Sequence, residues 1–314
     1  MIYEYTIEPD VIILWASSTR DYKDFLDRFG LGTSRFVSSF PKSKKGKLRS
    51  YLLSKSPSTG SEFDKLRYVE MITFICERII CREVIINSGA QNTSLWSAVV
   101  RGENEKNQFD VVISTNDLSL PNNVTPENMY DDIKYSIWQH EIQRSFQRTR
   151  VDLTEHIKTL FRYSTEQIVI VDPYCYKTNS LSFLAAIINT SFDKRLCQEL
   201  PKIKIIYKDG YKDSLAAKAT HTKRELLSKL NKNFENISLG IVVLKENKES
   251  KKAHEHFHNR YILTEHGGVS LGIGTDLSEN EYHTDEITLL SKKVYKKRYR
   301  QFVEDCVYDI IDEI

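Results

Sequence analysis

The 314-residue chain lacks four things, and each absence excludes a class of protein. Its five cysteines (Cys76, Cys81, Cys175, Cys197 and Cys306) include no close Cys-x-x-Cys pair, which argues against a zinc or dithiol site and for free thiols in a reducing compartment. No apolar run approaches the roughly 18 residues that cross a bilayer. The start, MIYEYTIEPD, has no basic segment leading into an apolar one, so no leader and a cytoplasmic location are expected. Charge of one sign is missing too: 45 basic against 43 acidic side chains leave a net charge of +2, so any nucleic-acid surface must be a local patch. No internal repeat is visible.

What is present is ordinary globular composition, 40% hydrophobic and 28% charged, in a chain long enough for two domains. In the first half VIILW (Val11–Trp15) reads as a strand and DYKDFLDRF (Asp21–Phe29) as a short helix. The stretch between Gly30 and Gly60, with its basic run PKSKKGKLR, reads as a loop, either solvated or serving as a phosphate-contacting arm. Phe63, Leu66, Val69, Ile72, Phe74 and Ile75 fall at helical spacing, and EVIIN (Glu83–Asn87) and FDVVIS (Phe109–Ser114) read as strands. A long polar helix is expected from about Pro126 to Arg150, running on toward Phe161 as a linker or dimer surface.

The second half has a cleaner rhythm. QIVIVDPY, KIKIIYK, SLGIVVLKE, HNRYILTE and GGVSLGIG read as strands, interleaved with helices at SLSFLAAIINTSF and HTKRELLSKLNKNF. This implies an α/β fold with a mixed, mostly parallel sheet and helices on both faces, preceded by an α/β or α+β domain. The expected division is 1–125 as a recognition domain, 126–160 as a helical linker and 161–314 as the second domain. Lys292 to Ile314 reads as a closing amphipathic helix.

Chemistry concentrates in HEHFHNRYILTEHGGVSLGIGTDL, His254 to Leu277. In an extended strand His254, His256, His258 and Arg260 share one face. The glycines beyond them, Gly267, Gly268, Gly272 and Gly274, allow a tight turn and close approach to a ligand. A phosphate fits between row and turn. The histidines could also bind a transition metal, but no nearby cysteine or convincing carboxylate completes a site, and neither metal nor cofactor is expected.

This stretch resembles the phospholipase D superfamily motif of His-x-Lys, four residues, Asp, six residues and Gly-Ser with a nearby Asn. His258, Arg260, Glu265 and Gly272 stand at that spacing, with Arg for Lys, Glu for Asp, and Ile273 in the serine place. Gly274, Thr275 and Asp276 occupy the turn that normally holds the asparagine, and QIVIVDPY is similar to the family's opening strand. The resemblance covers about residues 160–314. It implies a metal-independent phosphodiesterase, preferably a nuclease, in which His258 attacks phosphorus, Arg260 holds the phosphoryl oxygens, Glu265 orients a histidine and Thr275 donates to phosphate. His256, Gly272, Gly274 and Asp276 would complete the substrate site. With one motif per chain, it also implies a homodimer that pairs two copies of His258. A role in phage defence would suit such a protein. The same residues are similar to the phospholipase D-like C-terminal domains of some MIT-domain proteins, whose H-x-R and G-x-G-x-D elements bind phosphoinositides without known hydrolysis. On that resemblance the site would only bind an anion or a partner.

Asp172 could belong to the site or simply cap its turn. Lys292, Lys293, Lys296, Lys297, Arg298 and Arg300 could grip a phosphate backbone or form a solvated helix face. His283, close after the turn, could supply a second acid or be a surface residue.

Overall fold

In the computed structural model, which describes residues 1–83, 96–130, 140–192, 194–209, 218–234, 236–247, 256–278, 280 and 282–314, the chain forms two compact units. Ile2–Glu141 with Leu196–Gln198 makes one; Met1, Ile142–Arg195 and Glu199–Ile314 make the other.

The first unit is built on a parallel sheet of β1 (Tyr3–Ile7), β2 (Arg35–Val37), β3 (Val111–Ile113) and β4 (Asn123–Val124) in the order β2-β1-β3-β4. The strand expected at VIILW is instead helix α1 (Pro9–Ser17). Pro9 stands in its first turn with φ already set, and Val11, Ile12, Trp15 and Ala16 are buried at helical spacing. A five-residue apolar run fits either period, so its neighbours decide. Ser18 caps α2 (Thr19–Arg28) by accepting from Asp21 N. The basic stretch expected as a loop contains α3 (Lys45–Leu53), whose Leu48 and Leu52 are buried one turn apart. Helix α4 (Glu62–Glu77) begins in a Ser61–Asp64 capping box. Its buried face is Tyr68, Met71, Ile72, Ile75 and Cys76, whereas Phe63 and Leu66, expected inside, are 73% and 65% exposed. Helix α5 (Trp96–Lys106) completes the described helices of this unit. The strand expected at Glu83–Asn87 lies, beyond Glu83, outside the described residues.

One charged side chain is fully enclosed here. Arg82, 0% exposed, donates through Nε and Nη2 to the two carboxylate oxygens of Glu4 and through Nη1 to Glu103 and to Asn107 O. Both carboxylates are buried, so each charge is compensated by the other partners rather than by water.

The second unit is an eight-stranded mixed sheet in the order β12-β8-β7-β6-β9-β10-β11-β5. Its strands are β5 (Gln143–Gln147), β6 (Gln167–Val171), β7 (Lys202–Lys208), β8 (Leu239–Lys245), β9 (Arg260–Thr264), β10 (Gly267–Leu271), β11 (Thr284–Leu289) and β12 (Asp309–Glu313). Strands β6, β7 and β8 are parallel, and every other pairing is antiparallel. Helices α6 (Arg150–Tyr163), α7 (Thr178–Phe192) and α8 (Ala219–Leu227) pack in succession, and α9 (Lys292–Tyr299) lies against β10. The α/β expectation and the mixed sheet hold, but the sheet is mostly antiparallel rather than mostly parallel as expected.

Three expectations are corrected here. The helix expected over Pro126–Arg150 is broken by β5, and the helix proper starts at Arg150 behind a Thr149 cap. The closing helix ends at Tyr299; a π turn follows and the chain finishes as β12 against β8. His256 and His258 lie on a turn before β9 rather than in a strand with Arg260, and His254 lies outside the described residues.

Candidate functional site

Strand direction assembles the site. Strand β9 runs antiparallel to β6 with Val171 opposite Tyr261, so Arg260 at the start of β9 meets Asp172 at the end of β6. Arg260 also pairs with Leu271, which brings the turn from Gly272 to Asp276 to the same place. Carboxyl ends of parallel strands are where α/β sheets gather ligands.

Asp172 is 3% exposed and organises this edge. Its Oδ2 accepts from Thr275 N (2.9 Å) and Thr275 Oγ1 (3.0 Å), its Oδ1 accepts from Tyr174 N (2.9 Å), and Arg260 Nε lies 3.7 Å from Oδ1. Arg260 Nη1 donates to Gly272 O (2.9 Å) and His258 O (3.3 Å), while its guanidinium carbon stands 5.7 Å from the centre of the Tyr174 ring. Arg260 Nε is buried and makes no hydrogen bond. Gly274 has φ +88°, and a Cβ there would collide with both Arg260 Cδ and Asp172 Oδ2. A Cβ at Gly272 would strike the carboxylate of Asp285, which accepts from Ile273 N (2.7 Å). Both glycines are therefore required by close approach.

Beside this edge opens a cleft of about 400 Å³, walled by His258, Arg260, Ser270, Glu286, Thr288 and Val294 among others. His258 is exposed, and its imidazole makes no hydrogen bond among the described residues. His256 Nδ1 lies 3.5 Å from Glu246 Oε2, and the rings of His256 and His258 are 6.1 Å apart. Glu246 ends β8. Burial works to raise its pKa, but the Lys208 ammonium, the Phe257 N–H and His256 outweigh burial and hold it at about 2. Cys175 is no candidate nucleophile, because burial, then the Asp172 charge, push its thiol well up.

The structure therefore brings together His256, His258, Arg260, Gly272, Gly274, Thr275 and Asp276. Thr275 is 1% exposed with its hydroxyl committed to Asp172, and Asp276 faces Lys177 at 3.7 Å. Glu265 is not part of the group. It lies past the far end of β9, about 20 Å from His258 along the strand at ~3.3 Å per residue. There it accepts from the backbone N–H groups of Thr165 (2.5 Å), Glu166 (3.1 Å) and Gln167 (3.5 Å), so it anchors the start of β6 and cannot orient His258. His283 is exposed and bonded to Ser278 Oγ at 2.8 Å.

Sequence reasoning missed Glu246, Asp285 and Glu286. Glu246 is the first residue after a buried parallel strand, the same signal that Asp172 carries, and could have been found that way. Asp285 and Glu286 lie on β11, whose alternation is masked by a polar outer face.

No protein-family model matches the chain, and no curated protein does. Among solved structures, a similarity is found to TrmBL2, an archaeal chromatin protein described as showing a novel mode of DNA binding. It has 14% identity and a TM-score of 0.30, and covers 57% of each chain. The chain thus spans little more than half of that protein, and a likeness this slight carries no argument about fold or function. No described helix is long and apolar enough to cross a membrane.

Proposed function

We propose that the second unit is a phospholipase D-like phosphodiesterase acting on nucleic acid in the cytoplasm. The observation that carries this reading is the unengaged His258 imidazole at the mouth of a cleft walled by Arg260. In the proposed reaction a neutral His258 nitrogen bonds to phosphorus as the P–O ester bond breaks, and the leaving oxygen takes a proton from a second histidine. Water then cleaves the N–P bond and restores the imidazole. The second histidine is His258 of another copy, so a homodimer completes the site. Helix α9 supports a polyanionic substrate: Val294 lines the cleft, and Lys292, Lys293, Lys296 and Lys297 on the same helix are exposed. Degradation of foreign nucleic acid, as in phage defence, is a role such an enzyme would fill.

A second reading is anion binding without turnover. The Asp172 carboxylate beside Arg260 and the commitment of Thr275 to Asp172 favour it, because both reduce what the site offers a phosphoryl group. The test is hydrolysis of bis-p-nitrophenyl phosphate and of labelled DNA and RNA in EDTA, wild type against His258→Ala. Turnover that falls by about a thousandfold or more in the variant, ~4 kcal/mol of barrier, supports the enzyme. Equal rates, or none in the wild type, would sink it in favour of binding.

A further inference from the structure

The geometry points to a transition-metal site formed by Glu246, His256 and His258, and we propose that it takes Zn²⁺ or a similar borderline cation. One ligand atom from each of the three residues lies within 4.8 Å of the other two. Imidazole nitrogen with carboxylate oxygen is a donor set that such ions select.

The three side chains are carried by a rigid frame. Phe257, between the two histidines, is 1% exposed and packs its ring 5.5 Å from those of Phe302 and Tyr308. Its N–H donates to Glu246 Oε1 at 2.9 Å, which ties the turn to the end of β8. His258 N donates to His256 O at 3.0 Å and closes the turn. With the middle residue buried, both flanking rings are left at the surface, where His256 is 63% exposed. Glu246 Oε1 is occupied by Lys208 Nζ (2.8 Å) as well as Phe257, and its Oε2 faces His256. The carboxylate is thus oriented by outer partners, as metal-binding carboxylates usually are. Tetrahedral zinc with bonds near 2.05 Å sets its ligand atoms about 3.3 Å apart, so exposed rings need to close by only about 1.5 Å. Three protein ligands leave a fourth position for water.

Metal binding stands independently of the phosphodiesterase reading. If that reading also holds, the ion occupies the imidazole lone pair that would attack phosphorus, and it should inhibit.

The test is equilibrium dialysis of the EDTA-stripped full-length protein against Zn²⁺, with Co²⁺ absorption as a second readout. Wild type should bind one equivalent more than His256→Ala and His258→Ala, and the same amount as His283→Ala. In the two histidine variants affinity should drop by at least the 10- to 100-fold that loss of an outer partner costs. Co²⁺ at this site should show no thiolate band. Equal stoichiometry and affinity in wild type, His256→Ala and His258→Ala, or a thiolate band that accounts for all bound cobalt, would overturn the site. Zinc binding without any turnover in EDTA would leave this inference intact and remove only the enzyme.

Discussion

Two arginines, one in each unit, meet acidic partners in opposite ways. Arg82 is fully enclosed, with every nitrogen bonded and its charge shared between Glu4 and Glu103. Arg260 is one-fifth exposed, stands 3.7 Å from Asp172 without a hydrogen bond to it, and keeps an unbonded Nε. A closed network specifies a core, because each member is costly to leave alone. Arg260, at a cleft edge, belongs to no such closed network.

The comparison can be broken, beginning with the largest expected effect. Arg82→Met strands Glu4 and Glu103 in the core, and thermal or urea unfolding should show a loss of about 3–5 kcal/mol. A loss under about 1 kcal/mol would mean that the network is ornamental. Glu265→Gln removes a charged acceptor from three backbone N–H groups and should cost about 1.5–3 kcal/mol in the same measurement, while Zn²⁺ binding by Glu246, His256 and His258 stays unchanged. A change in zinc affinity there would show that Glu265 acts on the site after all. Arg260→Met should cost least, about 1–2 kcal/mol, since Asp172 keeps its bonds from Thr275 and Tyr174. Titration with inorganic phosphate should nevertheless lose most of its binding. Were Arg260→Met as damaging to stability as Arg82→Met, the two arginines would be doing the same job.

Legibility from sequence followed burial. Strands β6, β7 and β8 are read directly from QIVIVDPY, KIKIIYK and SLGIVVLKE because strands covered on both sides are almost continuously apolar. Strands β5 and β12 are the edges of the same sheet, and their sequences QRSFQ and DIIDE show no apolar alternation. An edge strand needs backbone hydrogen bonds to one neighbour and little more, and that requirement leaves no mark in hydropathy. The misread face of α4 has a related cause: Phe63 and Leu66 share helical spacing with buried residues, yet the residues buried on this helix are Tyr68, Met71, Ile72, Ile75 and Cys76.

The candidate site divides in the same way. The spacing of His258, Arg260, Gly272 and Gly274 is local to one hairpin, so the pairing of Arg260 with Leu271 carries it. The position of Glu265 was legible and its role was not, since spacing says nothing about which end of a strand faces a ligand. Glu246 reaches the histidines only because β8 and the following turn meet at one edge of the sheet.

Arg260 Nη1 spans from Gly272 O to His258 O, so one guanidinium fastens two backbone loops across the cleft mouth. It works as a clasp. An anion that drew the guanidinium outward would therefore loosen both backbone contacts together. Lysine at this position would keep the charge but lose the planar guanidinium that aims Nη1 at both carbonyls.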